Sequence, residues 1–184
     1  MGRPGFKPGG WRHALPGGFD SLSSPPRAFA GLAIARERVV LVRGFEFPDR
    51  LHYLVEHQVW AQLEEGGVAK VGITALGIHL AGGEIYMCRP KIVGTAVVQG
   101  GSIAVVELAK AIVSVKSPVS GAVLEVNERL ASAPELVHAD PYGEGWLARL
   151  SLADFNVDAA ALAFGEVAVR PAMEHHAWLN QIEG

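Results

Sequence analysis

The chain has 184 residues, 49% of them hydrophobic and 19% charged, with a formal net charge of −3. That composition suits one soluble domain with a full core and excludes a wholly disordered chain. No apolar run is long enough to span a bilayer, and the acidic body argues against a nucleic-acid role, which needs a basic face.

Residues 1–42 are a Pro/Gly-rich extension. Pro4, Gly5, Pro8, Gly9, Gly10, Pro16, Gly17, Gly18, Pro25 and Pro26 leave no hydrophobic period to pack, so disorder is expected. The charge is skewed here too: residues 1–43 hold seven Lys/Arg against two acids, and the remainder nine against seventeen. A transit peptide and a natural start nearer residues 39–42 are the competing readings, and the Pro/Gly density disfavours the first.

The folded body is expected to begin at Arg43. Residues 51–55 and 59–63 read as strands, Glu64-Glu65-Gly66-Gly67 as a hairpin turn, and 68–73 as the returning strand. Thr74 is placed to cap a short helix through Leu80, stopped by Gly82-Gly83. Residues 84–89 form a strand ended by Pro90. It contains the single cysteine, Cys88, read as core filler rather than a nucleophile. One cysteine forms no internal disulfide, which points to a reducing, cytoplasmic setting. Val97-Val98, a turn at Gln99-Gly100-Gly101, a strand over 122–126, one helical turn over 128–131 and a strand over 146–150 follow. Beyond Leu150, Asp154 or Asn156 is placed to cap a helix reaching Val169, with Pro171 in the first turn of a second helix ending near Ile182. Adjacent histidines on a helix point in different directions, so His175 and His176 read as surface residues rather than a metal pair. Many short strands punctuated by Gly and Pro argue for a barrel or sandwich.

The most informative stretch is 102–126. Ile103-Ala104-Val105-Val106 and Ile112-Val113-Ser114-Val115 are β-branched runs flanking Lys110. A buried helix is the competing reading, but β-branching and Ser117-Pro118 favour a hairpin with its bend at Leu108-Ala109-Lys110-Ala111. Without Asn-Gly or Gly-Gly, a type I turn or a longer loop is expected rather than the two-residue primed turn. A tip lysine is ordinarily a solvated surface residue. It can also act as a catalytic amine or as an attachment point. The first needs burial or a nearby cation, and Glu107 supplies neither; the second needs an exposed amine on a rigid element.

Glu107-Leu108-Ala109-Lys110-Ala111, Ser117-Pro118-Val119-Ser120-Gly121, Val126-Asn127-Glu128 and Asp140-Pro141-Tyr142-Gly143-Glu144-Gly145-Trp146 resemble, in order, the lipoyl-lysine region of glycine cleavage system H proteins. His57 and Trp60 match that family's opening strand loosely. The resemblance covers residues 51–150. It implies a mainly β, lipoyl-domain-like barrel-sandwich hybrid with short flanking helices. The carrier domain then spans 43–150, with a helical segment over 151–184 packed on it. It also implies a carrier, not an enzyme, with lipoate in amide linkage to Lys110 and with Glu107 helping a lipoate ligase or lipoyl transferase recognise the tip. Lys116 is the competing lysine but lacks the Glu-x-x-Lys context. Tyr142 to Trp146 read equally well as a tight turn leading a tryptophan into the core.

The implied partners are glycine decarboxylase, aminomethyltransferase and dihydrolipoyl dehydrogenase. Leu108 and Ala75-Leu76-Gly77-Ile78 depart from conventional H proteins. Arg43 to Pro48, Val59-Trp60-Ala61, Leu80-Ala81-Gly82 and Val115-Lys116-Ser117-Pro118 are similar to a branch of lipoate-binding proteins. That branch is associated with a sulfur-oxidising heterodisulfide-reductase-like complex, and it implies sulfur intermediates as cargo. A non-lipoylated scaffold on the same fold is the remaining alternative. Nucleic-acid and membrane partners are not expected.

Overall fold

Residues 59–73 fold into two antiparallel strands, β4 (Val59–Glu64) and β5 (Val68–Ile73), in a computed structural model that describes residues 38–183. Gly66 and Gly67 join them with φ of 76° and 72°, a left-handed region that glycine enters without a Cβ clash. The strands before them are β1 (Val39–Val42), β2 (Phe45–Pro48) and β3 (His52–Leu54). After helix α1 (Ala75–Ala81) come β6 (Ile85–Pro90), β7 (Ala96–Val97), β8 (Ser102–Leu108), β9 (Ala111–Lys116) and β10 (Gly121–Val126). Helix α2 (Leu136–Ala139), β11 (Ala148–Leu152), α3 (Phe155–Ala159), β12 (Ala163–Phe164) and α4 (Glu166–Leu179) complete the chain.

All strand pairs are antiparallel. Seven strands form one sheet in the order β12-β3-β4-β5-β11-β10-β7, three form β6-β8-β9, and β1-β2 is a separate ribbon. This is the mainly β architecture expected from the sequence. One core lies between the larger sheets, where Val71, Leu150 and Val123 meet Ile103, Val106 and Val115. A second gathers Val40, Phe47, Tyr53, Trp60 and Leu76 under Val169, Met173 and Ala177 of α4.

Several expectations change on contact with the fold. The proposed disorder of the N-terminal extension falls largely outside the described residues, but β1 starts at Val39, four residues before the expected boundary. Its Val40 and Val42 are buried against the second core. Val55 leaves the strand for a 3-10 turn, Val55–His57, while β6 does end at Pro90. The long helix expected from Asp154 is short. Asp154 does cap α3, its Oδ1 accepting from the Asn156 N–H at 3.0 Å. The chain then returns as β12 beside β3, where the Phe164 ring stacks on His52 at 4.1 Å, and Gly165 at φ 73° opens α4. Pro171 lies in the interior of α4, not in a first turn. Its missing N–H leaves the carbonyl of Val167, a residue 92% exposed, to water. Among the described residues no helix is long and apolar enough to cross a membrane.

Candidate functional site

Strands β8 and β9 form the hairpin. Ala104, Val106 and Leu108 point inward while Glu107 is exposed, so the alternation of the sequence sets the register. Pairing persists to Leu108 opposite Ala111, leaving Ala109 and Lys110 as a two-residue connection. The only described non-glycine residues with positive φ are Arg43, Gln58 and Gln181, so the turn is not of a primed type. Lys110 is exposed and, among the described residues, its amine has no hydrogen bond or ion pair. Leu108, 6% exposed, anchors the tip from below against Gly82. Glu107 is exposed on β8, opposite Ile112.

The base of the hairpin is fixed by polar contacts. Ser117 donates from Oγ to the Val119 carbonyl at 2.6 Å, and its own carbonyl accepts from the Gly100 N–H at 2.8 Å. Asp158 of α3 is 3% exposed. Its carboxylate accepts from the Ser120 N–H at 2.6 Å and from Ser120 Oγ at 2.9 Å. Gln99 donates from Nε2 to the carbonyls of Pro118 and Asp158, both at 2.9 Å. A buried carboxylate thereby ties the turn after the hairpin to the C-terminal segment.

A cleft of about 440 Å³ runs beside β9. It is lined by Val113, Ser114, Val115 and Lys116 of β9, by residues 56–59, by Gly77 and Ile78 of α1, and by His176 and Asn180 of α4. The residues around Gln58 are held by close contacts. Gln58 is buried with φ 52°; its Oε1 accepts from Thr74 Oγ1 at 2.7 Å, and its Nε2 lies 3.4 Å from Met173 Sδ. A Cβ on Gly77 would fall 2.6 Å from the Gln58 Cβ, so only glycine lets α1 approach this closely. Thr74 caps α1, accepting from the Gly77 N–H at 2.9 Å.

The loop Asp140 to Trp146 is structural. Trp60 donates from Nε1 to the carbonyls of Ile73 at 3.0 Å and Pro141 at 3.1 Å, and Tyr142 Oη accepts from the Ala75 N–H at 3.1 Å. The tryptophan in the core is Trp60, at 0% exposure; Trp146 stays half-buried under the Arg149 guanidinium, 4.8 Å from its ring. His57 reaches the cleft. His176 also differs from expectation: it is half-buried on the cleft, and burial together with His175 holds its pKa below the ordinary value. Among the described residues no three His, Cys, Asp or Glu side chains cluster to hold a metal. Burial pushes the Cys88 thiol up to about 12, which makes it an inert core residue.

Sequence reading brought Lys110 and Glu107 to the tip but missed Asp158 and His176. For His176 a signal exists, since the four-residue steps Val169, Met173, Ala177 mark the buried stripe of α4 and His176 borders it. Asp158 has none, because nothing local distinguishes it from a surface acid on a short helix.

Residues 51–174 match the family model for Glycine cleavage H-protein. The chain is 39% identical over 139 residues to glycine cleavage system H protein 2 of Aquifex aeolicus, covering 76% of this chain and 86% of that protein. It is 40% identical over 123 residues to the glycine cleavage system H protein of Marinobacter nauticus, covering 64% and 93%. Among solved structures, a glycine cleavage system H protein from Mycobacterium marinum is similar with a TM-score of 0.55 and 26% identity, covering 73% of this chain and 99% of that one.

Proposed function

The chain belongs to the glycine cleavage H-protein family, whose members carry lipoate covalently on a lysine, and from that membership we propose that Lys110 is its attachment point. The protein then works as a carrier, without a catalytic site of its own, moving cargo between docked enzymes. The observation that carries this reading is an exposed amine, without a hydrogen bond or ion pair among the described residues, at the tip of a two-residue bend whose foundation, Leu108, is buried. The residues present fit the group. No bond has to break to free the amine, and the cleft begins at Val113, three residues or roughly 10 Å along the strand.

When bound, lipoate supplies a disulfide that opens and closes reversibly. The chain's own residues do the rest. The β8–β9 pairing presents the attachment atom to solvent, and the contacts among Gln58, Thr74 and Gly77 shape the neighbouring cleft. Tethering makes each encounter with a docked enzyme intramolecular, at effective concentrations on the order of mM. Glu107 is exposed three residues ahead of Lys110, within reach of a lipoate ligase or lipoyl transferase reading the tip. Glycine decarboxylase, aminomethyltransferase and dihydrolipoyl dehydrogenase are the partners of this reading. The free, buried Cys88 fits a reducing cytoplasmic setting.

Intact mass of the protein from its native host tests the proposal. We expect a lipoyl increment that Lys110→Arg abolishes and Lys116→Arg keeps. A native chain without the increment would make it a scaffold on the same fold. A second reading, transport of sulfur intermediates for a heterodisulfide-reductase-like complex, has one observation in its favour: the ammonium of Lys116 lining the cleft, which has no ion pair among the described residues. Loading of the lipoylated chain by glycine decarboxylase and glycine separates the two.

A further inference from the structure

A polar stripe crosses the seven-stranded sheet on the face turned away from the main core, to which Ala61, Ala69 and Leu150 point. Lys70 of β5 lies directly opposite Gln62 of β4 and Arg149 of β11, so these three side chains leave the sheet on one face. Arg149 donates to the Glu64 carboxylate at 2.9 and 3.4 Å and to Glu125 at 2.7 Å. Lys70 has no such partner. It is half-buried and, among the described residues, makes no hydrogen bond or ion pair. Across from it, Gln62 Oε1 is buried and also lacks a hydrogen-bond partner among the described residues. Arg50, in the turn between β2 and β3, is near enough to oppose the lysine's charge. Burial holds the Lys70 pKa below the ordinary lysine value; Glu64 pulls the other way, and Arg149 and Arg50 push with burial. The neutral amine, which is the nucleophile, is therefore more available here than on a lysine in water.

We propose that Lys70 is a reversible carbon dioxide site, where CO2 adds to the amine as a carbamate held by Arg149 and Gln62. The nitrogen lone pair forms an N–C bond to CO2, one C=O electron pair moves onto oxygen, and an amine proton leaves to water. Nothing is oxidised or reduced. The product is an anion beside Arg149, whose guanidinium has more N–H donors than its bonds to Glu64 and Glu125 use. The carbamate nitrogen keeps one N–H, the donor that Gln62 Oε1 lacks. Charge on the stripe changes sign: Arg50, Lys70 and Arg149 against Glu64 and Glu125 become two cations against three anions. The site is independent of what Lys110 carries.

The test equilibrates the full chain with isotopically labelled bicarbonate and CO2 at mildly alkaline pH. Triethyloxonium then fixes any carbamate as its ethyl ester, and peptide mass spectrometry locates it. The exposed Lys91 is the internal reference. Label is expected on Lys70 at about threefold or more the level on Lys91, the scale of one partly screened ion pair. It should disappear when CO2 is purged before alkylation. Arg149→Gln should bring the Lys70 level down toward that of Lys91. Gln62→Leu, which leaves the Arg149 ion pairs in place, should lower it less. Melting curves show which variants fold, and Gln62→Leu decides if Arg149→Gln does not. Lys70 labelled no more than Lys91, label that survives the purge, or an unchanged Lys70 level in the folded variants would each overturn the proposal.

Discussion

Leu108 and Lys110 are two residues apart and have opposite surroundings. The leucine is 6% exposed and packs into the main core, while the lysine stands in solvent. Leu108→Ala is expected to destabilise the fold by about 2–4 kcal/mol through lost burial and a cavity under the tip, read as a lower urea midpoint. His52 is the second residue with a measurable consequence. Its ring lies 4.1 Å from Phe164 and 5.1 Å edge-on from Phe155, its Nδ1 is buried without a hydrogen-bond partner among the described residues, and burial holds its pKa below the ordinary 6.5. The folded chain therefore resists the proton that the unfolded chain accepts. Stability from this site is full above the unfolded pKa and is lost as pH falls through it toward the lower folded value. Urea midpoints should drop between about pH 7.5 and about pH 5. His52→Phe should flatten part of that slope and leave the part that His176, shifted in the same direction, contributes.

At the scale of elements, the hairpin is held at its base rather than by its turn. Ala109-Lys110 carries none of the residues that favour a primed connection, so the bend follows from pairing on either side of it. Downstream, Asp158 reaches from α3 to Ser120 and ties down the turn that follows β9. Asp158→Ala leaves the Ser120 N–H without its acceptor and should cost about 1–3 kcal/mol. The same change should raise amide hydrogen exchange over residues 117–121 more than over β4 or β5; uniform loosening would count against a local anchor. Element identity was legible wherever one periodicity dominated. The β-branched arms of β8 and β9, the Gly66-Gly67 turn and the Thr74 cap are each fixed by short-range sterics or a single hydrogen bond. The C-terminal stretch differs from its sequence reading because burial of Val169, Met173 and Ala177 carries α4 through Pro171 against that residue's local cost.

The whole molecule has two cores that share β4, since Val59 and Ala61 belong to one and Trp60 to the other. Helix α4 closes the second core with Val169, Met173 and Ala177, and carries His176 and Asn180 to the cleft. Met173→Ala should lower stability by about 2–4 kcal/mol. It also removes the sulfur contact to Gln58 Nε2, so its effect should reach the cleft wall and shift the amides of Gln58 and Gly77 in NMR spectra. By itself the sequence determined the strand pattern, the hairpin and the candidate lysine, because alternation, β-branching and a motif act between residues close along the chain. Only the tertiary structure decided that Asp158 fastens the turn, that Trp60 rather than Trp146 fills the core, and that Lys116 and His176 face one cleft. Asp158 and Ser120 are 38 positions apart, and Trp60 and Pro141 are 81 apart; the burial and charge that define these relations arise when distant strands and helices close around a shared space.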